Sequence, residues 1–147
     1  MKTTLRPGLK HEFRYQVPEN KTVPHLYPEA EAFRAMPPVF ATGFMVGLIE
    51  WACIDAIQPH LDAGEQSVGT DLRLTHTAAT PPGLTVTVKV TLERVEGRKL
   101  AFSITAHDGV DTISQGTHER FVIDTQRFLR KVQEKAAAGG GAAGRPG

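Results

Sequence analysis

The chain has 147 residues, the size of one ordinary domain, and its 40% hydrophobic and 22% charged content is that of a globular protein, well outside the disordered range. A formal net charge of +1 gives no field that would single out nucleic acid or an anionic membrane as a partner. The single cysteine, Cys53, excludes an intrachain disulfide and the cysteine-rich zinc sites.

The opening residues MKTTLRPGLKHEF hold no apolar run of the kind a signal peptide needs, so a reduced, cytoplasmic setting is expected. His11 to Pro18 alternates Phe13, Tyr15 and Val17 with polar neighbours, the pattern of a half-buried strand. Asn20 to Pro38 carries four prolines and mixed polarity, which predicts a long loop with one helical turn near Ala30 to Ala35. Loops of this length inside a domain are more often functional than idle, and a lid over about 20–38 is the natural reading. Pro37-Pro38 closes that segment, and a helix follows from near Thr42 to near Leu61, with Pro59 in its last turn. The most apolar stretch, Val39 to Ile57, contains Glu50 and Asp55 and precedes Pro59, which argues against a membrane span. Cys53 lies inside it and reads as a small buried thiol.

Ser67 to Thr77, Leu84 to Val95, Lys99 to His107 and Asp111 to Ile123 read as strands rich in Thr, Val, Ile and Leu. Pro81-Pro82-Gly83, Glu96-Gly97 and Asp108-Gly109 punctuate them, the last as a tight-hairpin signal. Thr125 to Lys135 fits a short terminal helix, and residues 136–147 are low-complexity and read as a disordered tail behind a single domain over 1–135. One strand, a lid, one long apolar helix and a four-strand meander make an α+β fold. Because the helix is apolar around most of its circumference, the sheet is expected to wrap it.

Three residues stand out chemically. Glu50 has Val46, Gly47, Cys53 and Ile54 as its helical neighbours, none able to pair with a carboxylate. A desolvated, unpaired carboxylate is costly, so such a group is retained for a distant partner or for a task. His76 shares a strand face with Leu72 and Leu74, the face expected to meet the helix; it is either a hydrogen-bonded core residue or a general base. Thr42 stands at the expected helix start, where an N-cap role alone would account for it. It also lies eight residues before Glu50, about 80° around a helix, so both can look toward one pocket. A threonine hydroxyl needs an adjacent base to be a useful nucleophile. His11, His25, His60, His107 and His118 show no metal-ligand spacing, and no metal is expected.

The runs Lys21 to Glu29, Val39 to Cys53, Thr75 to Val88, Ala106 to Asp111 and Gly116 to Arg120 together resemble the fluoroacetyl-CoA thioesterase family of hotdog-fold acyl-CoA thioesterases, over nearly all of residues 5–135. The resemblance implies an antiparallel sheet wrapped around one long central helix, in a protomer that pairs as a homodimer. It implies hydrolysis of fluoroacetyl-CoA to fluoroacetate and CoA as a resistance activity. Thr42, Glu50 and His76 fall on the family's catalytic positions; Gly69, Arg120, Phe33, Met36 and Phe40 fall on substrate-binding ones. Position 36 carries Met where a family member carries phenylalanine. No cofactor is implied, because CoA belongs to the substrate, and no nucleic acid or membrane partner is expected. A broader short-chain acyl-CoA thioesterase and a non-catalytic acyl-CoA-binding domain are the competing readings.

Overall fold

The computed structural model describes residues 1–140. Strand β1 (Lys10–Gln16) is followed by two single-turn 3-10 segments at Glu19–Lys21 and Val23–His25, a one-turn helix α1 (Glu31–Arg34) and the long helix α2 (Thr42–Ile57). Strands β2 (Glu65–Leu74), β3 (Thr85–Glu96), β4 (Lys99–His107) and β5 (Thr112–Asp124) come next, and α3 (Thr125–Ala138) ends the described chain. The expected tail, 136–147, falls partly on the last turn of α3, and 141–147 lie outside the described residues.

The core follows from alternation. Val86, Val88, Val90 and Leu92 of β3 and Leu100, Phe102, Ile104 and Ala106 of β4 turn every second side chain inward, onto Met45, Leu48, Ile49, Ala52, Cys53, Ala56 and Ile57 of α2. On β1, Phe13 and Tyr15 reach Trp51 of α2 at centroid distances of 4.5 and 6.2 Å. At the other edge of the sheet, Gly69 of β2 lies against Glu50 of the same helix. The sheet therefore curls across α2 from one edge strand to the other, as the apolar circumference of the helix requires.

The strand order is β1-β3-β4-β5-β2, all antiparallel. This corrects the expected four-strand meander: only β3, β4 and β5 are sequential neighbours. The reason lies in residues 75–84, an irregular stretch ending at Pro81-Pro82-Gly83, which carries the chain from one edge of the sheet to a strand on the far side of β4. Thr80 anchors this crossing, accepting from Phe40 N–H with its carbonyl and donating its hydroxyl to Asp108 at 2.8 Å. Asp108 also accepts the amides of Val110 and Asp111, so the β4–β5 connection is a four-residue loop built on a buried carboxylate and not a two-residue hairpin.

Strand β2 is interrupted. Its register with β5 slips between Gly69 and Asp71, leaving Thr70 as the extra residue of a bulge. Because side-chain direction has period two, that slip lets Gly69 before it and Leu72 and Leu74 after it share the inward face. Only part of the leucine face packs as expected: Leu74 lies against the core, Leu72 stays 44% exposed, and β2 ends at Leu74, leaving His76 in the crossing segment beyond the strand.

Candidate active site

Two clusters hold the residues singled out above. In the first, Thr42 Oγ1 lies 2.7 Å from His76 Nδ1. Thr42 is not the N-cap; Ala41 holds that position without a side-chain bond, and Thr42 is the first helical residue, its hydroxyl engaged by His76 instead. Burial lowers the basicity of His76 below its ordinary value of 6.5, so the ring is neutral near pH 7. Its Nε2 is buried and has no hydrogen-bond partner among the described residues. Val23, Val39, Phe40, Thr77, Ala78 and Ala79 complete a groove of about 300 Å³ around this pair.

In the second cluster, Arg120 Nη1 donates to Glu50 Oε2 at 3.0 Å. Glu50 thus has a distant partner where its helical neighbours offer none: the cation arrives from β5, too far along the chain for helical spacing to show it. Arg120 is 3% exposed, and its Nε and Nη2 donate to the hydroxyl and carbonyl of Ser67, both at 2.8 Å. The position of Gly69 is set by this pair, since a Cβ there would come within 2.9 Å of Glu50 Oε2 and 3.4 Å of Arg120 Nη1. Only glycine lets the carboxylate approach this backbone. Beneath the pair, burial pushes the thiol of Cys53 up to about 12, so Cys53 is a protonated floor and no nucleophile.

The two clusters are not in mutual contact. Thr42 and Glu50 are separated by eight residues of α2, which is about 12 Å along the axis. The lid residues are also dispersed. Phe33 stacks on Tyr27 at 5.7 Å, Met36 is 49% exposed, and Phe40 is buried in the core at the mouth of the groove. Two lid residues border the start of α2: the carbonyl of Lys21 accepts from Ala41 N–H at 3.1 Å, and the side chain of Leu26 lies 3.0 Å from where a Gly43 Cβ would be.

His118, a histidine that its spacing does not single out, is fully buried against Arg120. Its signal was present in the alternation of β5, which puts Gly116, His118, Arg120 and Val122 on one inward face where apolar residues belong. Among the described residues no three His, Cys, Asp or Glu side chains are grouped to hold a metal, and no helix is long and apolar enough to cross a membrane.

The fluoroacetyl-CoA-specific thioesterase family profile matches residues 18–126, which includes both clusters. The chain belongs to this family. The fluoroacetyl-CoA thioesterase of Streptantibioticus cattleyicolor is 56% identical over 139 residues, 95% of this chain and all of that one. A solved structure of a threonine-to-alanine variant of a fluoroacetyl-CoA thioesterase, in complex with fluoroacetate, superposes with a TM-score of 0.87 at 56% identity, covering 89% of this chain and 98% of that one. A hot-dog-like protein from Thermanaerovibrio acidaminovorans, 24% identical with a TM-score of 0.74 over 88% of this chain and 91% of its own, shares the fold. The fold is the hotdog fold.

Proposed function

We propose that this protein hydrolyses fluoroacetyl-CoA to fluoroacetate and CoA, removing a toxic acyl thioester in the cytoplasm. The observation that carries the reading is the pairing, in a chain of this family, of a hydroxyl with a neutral imidazole at Thr42–His76 and of a carboxylate with a buried guanidinium at Glu50–Arg120. Hydrolysis exchanges the thioester C–S bond for a C–O bond, with a proton passed to the departing CoA sulfur. His76 is the proton carrier: uncharged near neutrality, and already on the hydroxyl of Thr42. Glu50 is the group that attacks the carbonyl or activates water, held in direction by Arg120 at one oxygen. Gly69 and Arg120 line the acyl end, where a backbone amide beside Gly69 meets the developing oxyanion; such a donor is worth about 3–4 kcal/mol. Phe33, Met36 and Phe40 belong to the lid side. The reaction uses no cofactor, since CoA enters as part of the substrate.

The separation of about 12 Å between the two ends of this set supports a homodimer with composite sites. Two copies with α2 antiparallel would bring Thr42 and His76 of one to Glu50 and Arg120 of the other. The exposed stripe of Gly43, Gly47, Trp51 and Ile54 on α2 and the open edge of β2 with Leu72 are the surfaces such a pairing would cover.

The test is kcat and KM for fluoroacetyl-CoA and acetyl-CoA, followed by free thiol. The acyl groups differ by one small atom, and pocket contacts for a change as large as a methylene give only about 10–200-fold. Larger discrimination must arise from the greater electrophilicity of the fluorinated carbonyl and acidity of its α-proton, so it is expected in kcat. Comparable turnover of both substrates would make the protein a broader short-chain thioesterase, the reading that an exposed Met36 in the lid favours. Binding without turnover would make it an acyl-CoA-binding domain.

A further inference from the structure

The guanidinium of Arg120 is held on two sides. Ser67 takes Nε and Nη2, and on the far side Nη1 points one N–H at Glu50 and the other at Nε2 of His118, 3.1 Å away. A guanidinium nitrogen donates and cannot accept, so Nε2 of His118 is the acceptor and its proton must sit on Nδ1. There it donates to the carbonyl of Asp71 at 2.8 Å. Both ring nitrogens are thus spoken for, in one tautomer only, on a ring with no exposed surface.

Asp71 is the first paired residue after the bulge in β2, and Gly69 is the last before it. The same imidazole borders the space beside Gly69, where an added Cβ would lie 3.2 Å from His118 Cε1. One ring edge therefore borders Arg120, Gly69 and the far flank of the bulge. The two hydrogens on Nη1 diverge at a fixed angle in the guanidinium plane, so the one given to His118 sets the direction of the one given to Glu50.

We propose that His118 is a positioning residue of this site: a neutral imidazole, protonated at Nδ1, that aims Arg120 at Glu50 and pins the β2 bulge that presents Gly69. The inference rests on the reading that Glu50, Arg120 and Gly69 attend the acyl group. Burial, reinforced by the charge of Arg120, lowers the basicity of His118 against the opposing pull of the Asp71 carbonyl and Glu50, in keeping with a ring that stays uncharged. A histidine that merely filled core volume would need neither the rarer tautomer nor a charged neighbour as its donor.

Two measurements on the full chain test this. Long-range proton–nitrogen NMR at pH 7 is expected to show His118 neutral with its proton on Nδ1; a proton on Nε2, or a charged ring, would overturn the proposal. Steady-state kinetics of His118→Leu, His118→Gln, Arg120→Lys and the double variants give the second. His118→Leu is expected to lower kcat for fluoroacetyl-CoA about tenfold with KM little changed, the rate equivalent of one charge-assisted hydrogen bond. His118→Gln, which keeps an acceptor, is expected to recover most of that and also serves if the leucine variant fails to fold. In the Arg120→Lys background the further loss is expected to be under about twofold, because both residues act through one group. Equal losses in both backgrounds would overturn the role of His118, whereas a wild type that turns over neither fluoroacetyl-CoA nor acetyl-CoA would overturn the reading beneath it.

Discussion

The carboxylate of Glu50 and the guanidinium of Arg120 meet at 3.0 Å, although seventy positions of chain separate them. Arg120 keeps its bonds to Ser67 and His118 whatever stands at position 50, so Glu50→Gln is expected to fold as the wild type does. The amide still offers Arg120 an oxygen but has neither charge nor basicity. Thiol release from fluoroacetyl-CoA should fall by about 10²–10⁴-fold, with the thermal melting curve nearly unmoved. An active Glu50→Gln enzyme would remove Glu50 from the chemistry.

Two glycines of the β2–β5 pairing are expected to respond oppositely to one methyl group. At Gly69 a Cβ meets the mobile end of Glu50 at 2.9 Å, so the carboxylate yields and the backbone does not. Gly69→Ala should cost activity at little cost in stability. At Gly116 the same atom would lie 1.7 Å from the carbonyl oxygen of Arg73 on the paired strand, and no side chain can move to relieve it. Gly116→Ala should unfold the β2–β5 pairing. Parallel melting curves and kcat/KM values for the two variants check the contrast.

His76 is neutral near pH 7 because burial lowers its proton affinity below the ordinary 6.5. If it works as a base, kcat/KM rises with pH and levels off once the ring is deprotonated. The midpoint of that acidic limb is expected below 6.5, and the limb is expected to vanish in His76→Gln. A midpoint above 6.5 would contradict a buried, uncharged imidazole.

Asp108 links the β4–β5 loop to the crossing segment that carries His76. Burial alone would raise its pKa, but the amides of Asp111 and Val110 and the hydroxyl of Thr80 outweigh it and hold the carboxyl below its ordinary 3.8. As pH falls, the unfolded chain therefore takes up the proton first, so this stabilisation is present above 3.8 and is lost on acidification through the folded value. Asp108→Asn should lower the unfolding free energy by about 1–3 kcal/mol at neutral pH. The gap from the wild type should narrow below 3.8, as measured by urea unfolding at several pH values.

Strands β3 and β4 were legible because each alternates apolar and polar residues over most of its length, and α2 because its apolar run exceeds a strand. The strand order was not, since no local signal tells where residues 75–84 deliver the chain. At the site, Thr42 and His76 were visible as residue types, but their contact spans 34 positions and needs the crossing to form it. The N-cap reading of Thr42 failed because a hydroxyl at a helix start has a second use when an imidazole is within reach. Resemblance placed Arg120, and period-two counting from it would have found His118 beside it.

The crossing also dictates a timetable. Strands β3, β4 and β5 are joined by short connections and can zip together from local contacts, whereas β2 must wait for β5, synthesised some fifty residues later, before it has anything to pair with. Gly69 and Ser67 arrive with β2. Until β2 docks, the Glu50 carboxylate lacks the strand that flanks it, and a substitution that weakens β2 alone, such as one at Thr70 or Leu72, should slow acquisition of activity more than it slows formation of the rest of the sheet.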